Sequence, residues 1–347
     1  MWSGFESLIP YFGGKRKLCP RIFKEIARVY PPATWSKLRL VDPFLGGGSV
    51  SLYAKAHGFG VTCGDLAERS VIIGRALIEN MGDQIWTSDV HRLFQPASEG
   101  MQARFLKDYF VPNHLPEAAA AFLDNAFAVI PAFHGEIKRA MLKLLLVKYL
   151  FSLRPHSKFS SPGAFNQPFA EGRFDDIKAT YKHAIAANGE HPLPALRRLA
   201  AQINRGVMRG AQPCSVHKGD AAETIRQGEG AEILYLDPPY AGTLKYEKEY
   251  RLLDQLFGDE LPPSPFSQDS GAMALAGLLE RAQSFPLWVI SYGNAVLDIE
   301  AMKALIGRIR PVRAVELAYT HLGAVASEEK KAKNREFILL AGEGVKC

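Results

Sequence analysis

Apolar and polar positions follow one rhythm at the two ends of this chain and another in its middle. Leu38–Val41 and Phe59–Cys63 are short apolar runs of strand length. Between them Val50, Leu52, Tyr53 and Ala56 fall near helical spacing, which predicts a helix over Ser49–His57. A helix is predicted over Pro20–Val29, ended by Pro31 and Pro32, and another over Glu68–Asn80. From about residue 90 to 213 the spacing is mostly helical, with loops rich in Pro and Gly. The most apolar stretch, Met141–Leu153, carries Lys143 and Lys148 and is followed by Arg154, so it predicts a buried helix and no membrane span. Strands return at Glu232–Leu236, Leu287–Ser291, Val312–Tyr319 and Glu336–Ala341, with a helix at Ala272–Ser284. Strand, glycine turn, helix, strand is one unit of a doubly wound α/β sheet. The predicted fold is therefore α/β and Rossmann-like. Residues 1–90 and 214–347 form the sheet domain, and residues 91–213 form a helical insertion.

Composition changes this picture little. With 347 residues, 47% hydrophobic and 22% charged, the chain can bury a sizeable core without disulfide staples. Cys19, Cys63, Cys214 and Cys347 are scattered, with no metal-ligand spacing, so no metal is expected. Met1–Pro10 lacks a basic segment followed by an apolar run, and a cytoplasmic protein is expected. The net charge of +6 favours a polyanionic partner.

Chemistry enters at Phe44-Leu45-Gly46-Gly47-Gly48, between a predicted strand and helix. Glycines there permit positive φ and a close approach of a ligand to the backbone. Asp65 ends the next strand, and an acid about 20 residues beyond such a turn is placed to accept hydrogen bonds from ribose hydroxyls. The consecutive glycines match neither the dinucleotide pattern nor a phosphate-binding Gly-Lys-Ser/Thr loop. An adenosyl cofactor is the better reading.

The second chemical stretch is Leu234-Tyr235-Leu236-Asp237-Pro238-Pro239-Tyr240. Two prolines stop the strand and stiffen the loop. A stiff loop holds a carboxylate, bare carbonyls and an aromatic ring in fixed places. An exocyclic base amine needs this set, because its lone pair is delocalised into the ring. Hydrogen bonds to Asp237 and the Pro238 carbonyl would draw the nitrogen toward tetrahedral geometry, and Tyr240 would stack on the extruded base.

With these motifs in order, the chain resembles the Dam-type DNA adenine methylases. Ile9-Pro10-Tyr11-Phe12-Gly13-Gly14-Lys15 is similar to the family's N-terminal motif and Asp42–Val50 to its cofactor loop. Gly163-Ala164-Phe165-Asn166-Gln167-Pro168-Phe169, preceded by Arg154, is similar to its middle motif, and Asp237–Tyr240 to its catalytic loop. Ser291-Tyr292-Gly293-Asn294 and Asn334-Arg335-Glu336-Phe337 fit its later strands. The resemblance implies transfer of a methyl group from S-adenosyl-L-methionine to adenine N6 in double-stranded DNA. It also implies cofactor roles for Tyr11, Gly13, Lys15, Asp42, Phe44, Gly46, Gly48, Asp65, Asp220 and Asp237. Many members have Glu at the position of Asp42 and an aromatic residue at that of Ala221.

The insertion is expected to carry target recognition. Lys138, Arg139, Lys143, Lys148, Arg154, Lys158 and Arg173, with Arg197, Arg198, Arg205 and Arg209, would neutralise phosphates, and Asn166 is grouped with them as a DNA contact. A cognate restriction or defence nuclease in a prokaryotic or phage setting is the expected partner, and the oligomeric state is left open. The loop chemistry serves adenine in RNA or cytosine N4 equally well. The alternative of another class is a DNA-binding protein that has lost catalysis.

Overall fold

The computed structural model describes residues 2–98, 104–111, 115–153, 191–239, 249–268, 270–293, 299–317, 336–342 and 344–345. The chain divides into two compact units. One comprises residues 13–66, 210–247 and 261–347, and the other residues 1–12, 67–209 and 248–260. The predicted boundaries run differently, because residues 1–12, 67–90 and 248–260 group with the helical unit.

The first unit is a seven-stranded sheet. Its strands are β1 (Arg39–Asp42), β2 (Gly60–Asp65), β3 (Ser215–Lys218), β4 (Ile233–Leu236), β5 (Leu287–Gly293), β6 (Val312–Leu317) and β7 (Glu336–Gly342). They lie in the order β3-β2-β1-β4-β5-β7-β6. The first five are parallel, and β7 runs antiparallel between β5 and β6. This is the expected Rossmann-like α/β sheet. All four residues of β4 are buried, as a parallel strand covered on both faces requires. On one face Val41, Leu234, Leu236, Trp288 and Leu339 pack with Ala221, Ile225, Leu279 and Ile306 from three helices. Elsewhere in the unit Phe23, Trp35 and Phe59 form an aromatic cluster, with ring centroids 5.0–5.8 Å apart.

Most predicted elements occur with ends moved by a residue or two. β3 and the helix Ala221–Gln227 were not foreseen. β3 has four residues and only one fully buried position, so it carries no apolar run. The helix predicted over Glu68–Asn80 is α-helical only over Glu68–Ile73 and continues as a π-turn over Gly74–Glu79.

The helical unit is organised around Glu136–Ser152, whose buried residues include Leu142, Leu145, Leu146 and Leu150. It packs against Pro192–Gly206, Glu117–Val129 and the π-turn. Lys148 lies inside this packing. Its ammonium donates to the carbonyls of Glu6 at 2.6 Å and Leu8 at 3.1 Å. That corrects its grouping with phosphate ligands, because the charge is spent anchoring the N-terminal segment. Among the described residues no helix is long and apolar enough to cross a membrane.

Candidate active site

β1 and β4 are adjacent, yet the chain winds outward from them in opposite directions, to β2 and β3 on one side and to β5 on the other. Loops leaving such a pair diverge, and ligands bind in the crevice at the carboxyl ends of the strands. Three acids stand at these ends. Asp42 closes β1, Asp65 closes β2, and Asp237 follows β4 directly.

The glycine turn is built as its sequence demands. Gly46 (φ 49°) and Gly48 (φ 71°) are left-handed, where a Cβ would be strained. The Gly46 N–H donates to Asp65 Oδ2 at 2.8 Å, so the acid of β2 holds the loop of β1. Gly48 then leads into the helix Ser49–Ala56. The Phe44 ring packs edge-on against Phe266, with centroids 5.1 Å apart.

Asp42 is buried. It accepts hydrogen bonds from Ser51 Oγ at 2.7 Å and from the Phe44 N–H at 3.3 Å. Burial pushes its carboxyl up to about 7, and the nearby charges of Asp237 and Asp65 push the same way. The two hydrogen bonds oppose the shift.

Lys15 reaches the same place from the N-terminal motif. Its N–H donates to Ser49 Oγ at 3.1 Å, and its ammonium donates to the Gly13 carbonyl at 3.1 Å and to Asp237 Oδ1 at 2.8 Å. Gly13 is left-handed (φ 72°), which permits the turn. The Lys15 side chain is 3% exposed and that of Asp237 19%, so the pair is shielded but reachable on the carboxylate side. Pro238 is buried and Pro239 half-buried. Asp42, Phe44, Gly46, Gly48, Asp65, Gly13, Lys15 and Asp237 therefore belong to one unit, at the ends of its strands or in its loops.

Other predicted residues are placed differently. Asp220 caps the helix Ala221–Gln227, its Oδ1 accepting from the Glu223 N–H at 2.8 Å. Tyr11 belongs to the helical unit, where it stacks on Tyr250 with centroids 5.1 Å apart. Lys138 is tied to Asp89 at 2.6 Å and to the Gln84 carbonyl. Arg139 donates to the Phe133 carbonyl at 3.1 Å. Arg197 and Arg198 are exposed on the helix Pro192–Gly206, with Arg197 beside His91. Tyr240, Arg154, Lys158, Asn166 and Arg173 lie outside the described residues. The hydroxyls of Ser49 and Ser51 were not foreseen, although both sit in the first turn of a helix that follows the glycine loop.

Three acids, a glycine loop and an Asp-Pro-Pro segment thus stand at the carboxyl ends of neighbouring strands. The model of the D12 class N6 adenine-specific DNA methyltransferase family matches residues 11–190. The chain belongs to that family. It is an enzyme that methylates adenine in DNA at N6, and it requires a methyl donor. The chain is also 25% identical over 342 residues to the type II methyltransferase M2.HphI of Haemophilus parahaemolyticus, covering 96% of each chain.

Proposed function

We propose that this methyltransferase uses S-adenosylmethionine, held over the carboxyl ends of β1 and β2, to methylate adenine in duplex DNA at a defined sequence. The reading rests chiefly on the convergence of Asp42, Asp65 and Asp237 at the ends of neighbouring strands. The donor set fits the cofactor. Its ammonium and sulfonium are cations, and Asp42 with the loop Phe44–Gly48 offers a buried carboxyl and open backbone for the methionine end. Asp65, beside the loop it holds, suits the ribose hydroxyls. Gly13 and Lys15 border the same pocket, Tyr11 leads into them, and Asp220 follows β3 toward the adenine end. When bound, the cofactor supplies an electrophilic methyl group.

The remaining work falls to the chain. Asp237 and the Pro238 carbonyl accept the two hydrogens of the N6 amino group and turn its lone pair outward. Pro239 removes backbone freedom behind them. Tyr240 stacks on the base. Lys15 fixes the rotation of the Asp237 carboxylate through Oδ1. Positioning of this kind supplies much of a transfer rate. Target recognition is assigned to residues 91–213, with Arg197 and Arg198 as exposed phosphate ligands and Lys138, Arg139, Arg154 and Asn166 as further candidates. The type II name of the relative supports a partner nuclease and a cytoplasmic site of action.

The test is mass spectrometry of nucleosides after incubation of the protein with S-adenosylmethionine and mixed-sequence duplex DNA. N6-methyladenine is expected with the native chain and none with Asp237→Ala at unchanged far-UV dichroism. Substantial product from the Asp237→Ala protein would remove Asp237 from the proposed chemistry.

A further inference from the structure

Ser49 is the first residue of the helix that follows the glycine loop. Gly48 before it is left-handed (φ 71°) and has no side chain, so no side-chain oxygen caps this helix end. A serine at a helix start ordinarily stands one position earlier and spends its hydroxyl on the helix's own N–H groups. Ser49 spends its oxygen elsewhere. Its Oγ accepts the main-chain N–H of Lys15 at 3.1 Å, a residue 34 positions back along the chain. Ser49 and Lys15 are both buried, so a donor left unmet there would be costly.

The Lys15 main chain is held on its other side as well. Its carbonyl accepts the N–H groups of Leu18 at 2.8 Å and Cys19 at 2.9 Å, at the start of the helix Cys19–Val29. The Cys19 thiol in turn donates to the Ser49 carbonyl at 3.5 Å. A lysine carries its charge on a long flexible stem, so where the ammonium arrives depends on how firmly the stem is rooted. Here it arrives at Asp237 Oδ1, 2.8 Å away. Lys15, Ser49 and Asp237 belong to one unit, and β1 and β4, which lead into the glycine loop and Asp237, are paired neighbours. Two bonds thus join the loop to the acid: Ser49 to the Lys15 main chain, and the Lys15 ammonium to Asp237.

We propose that Ser49 is a positioning residue for methyl transfer, acting through Lys15 on Asp237. This rests on the assignment of Asp237 to the amine. Ser49 touches neither base nor donor in this scheme. Its hydroxyl fixes the root of Lys15, and so the place where the ammonium holds the carboxylate. Misplacement of a reacting group by about 1 Å can cost about a hundredfold in rate. The same hydroxyl ties the loop that holds the donor to the acid that holds the acceptor amine.

The test is a double-mutant cycle on the full chain with Ser49→Ala and Lys15→Met. Single-turnover methylation is measured under saturating S-adenosylmethionine and duplex, well below the melting temperature of each variant. Ser49→Ala alone is expected to lower the rate about tenfold, the weight of one hydrogen bond in a transition state. Ser49→Gly removes the same oxygen and is expected to repeat the loss. With Lys15→Met already present, Ser49→Ala is expected to change the rate by less than about twofold, because the group it positions is gone. A merely structural Ser49 would lower the rate by the same factor in both backgrounds, or lower only the melting temperature. Either result overturns the inference. Asp237→Ala runs alongside as the control on the underlying assignment. If Asp237→Ala keeps the native rate, that assignment fails and this inference falls with it. If Asp237→Ala is inactive and the effects of Ser49→Ala and Lys15→Met simply multiply, this inference alone fails.

Discussion

Asp42 shows how one buried carboxyl carries information about both stability and site. Its folded value is raised to about 7 from an ordinary value near 3.8. A raised acid favours folding while it is protonated in both states, at low pH. That contribution is lost as pH rises between the two values, and above about 7 the full cost of a buried charge is felt. Asp42→Asn removes the charge and keeps the shape. The ligand-free variant is therefore expected to gain melting temperature over the native chain at pH 8 and little or nothing at pH 4. Equal gains at both values would show that the gain does not come from titration of a raised Asp42 carboxyl. Lys15 bears on the neighbouring acid by direct contact. Lys15→Met would leave Asp237 without its 2.8 Å partner. The expected result is a fall of at least about tenfold in methylation, with S-adenosylmethionine affinity by calorimetry reduced much less. The paired residue types were legible in the motifs, but their pairing was not. Lys15 and Asp237 are far apart in sequence, and only the sheet brings them to hydrogen-bonding distance.

At the level of elements, the crevice depends on a close approach between β2 and the helix Ala221–Gln227. A Cβ added at Gly64 would lie 2.0 Å from Thr224 Oγ1 and 3.0 Å from its Cγ2. Gly64→Ala must therefore push the helix off the strand whose end presents Asp65. It is expected to lower stability by about 1–3 kcal/mol in urea denaturation. Thr224→Ala in the same chain is expected to restore part of that stability, and no recovery would mean the strain lies elsewhere. The strand–turn–helix unit around Gly46 could be read directly, because hydrophobic runs and consecutive glycines are local signals. β3 could not, because it is defined by its pairing with β2 and has no apolar pattern of its own. The π-turn Gly74–Glu79 escaped for a related reason. Over six residues a helical period cannot be distinguished from the slightly wider one.

For the molecule as a whole, a net charge of +6 draws DNA, but charge alone does not say which cations meet phosphate. Arg197 and Arg198 are exposed, whereas Lys138 is neutralised by Asp89 and Lys148 is buried against backbone carbonyls. Replacing Arg197 or Arg198 by Ala is expected to lower the slope of log affinity against log salt by about 0.9 for each phosphate that is no longer neutralised. Lys138→Ala is expected to leave that slope unchanged and to lower the melting temperature instead. A salt slope that responds to Lys138 and not to the arginines would place the duplex on a different face of the helical unit.

The sequence alone determined the fold class, the order of its chemical motifs and the identity of the acids that end β1, β2 and β4. Those follow from local rules: apolar runs make strands, glycines turn them, and prolines stop them. The tertiary structure alone decided which charges are spent internally and which are presented. Lys148 and Lys15 are both lysines near apolar residues. One holds the N-terminal segment and the other holds the Asp237 carboxylate, because burial removes water and each cation must then take the oxygens its neighbours in space provide.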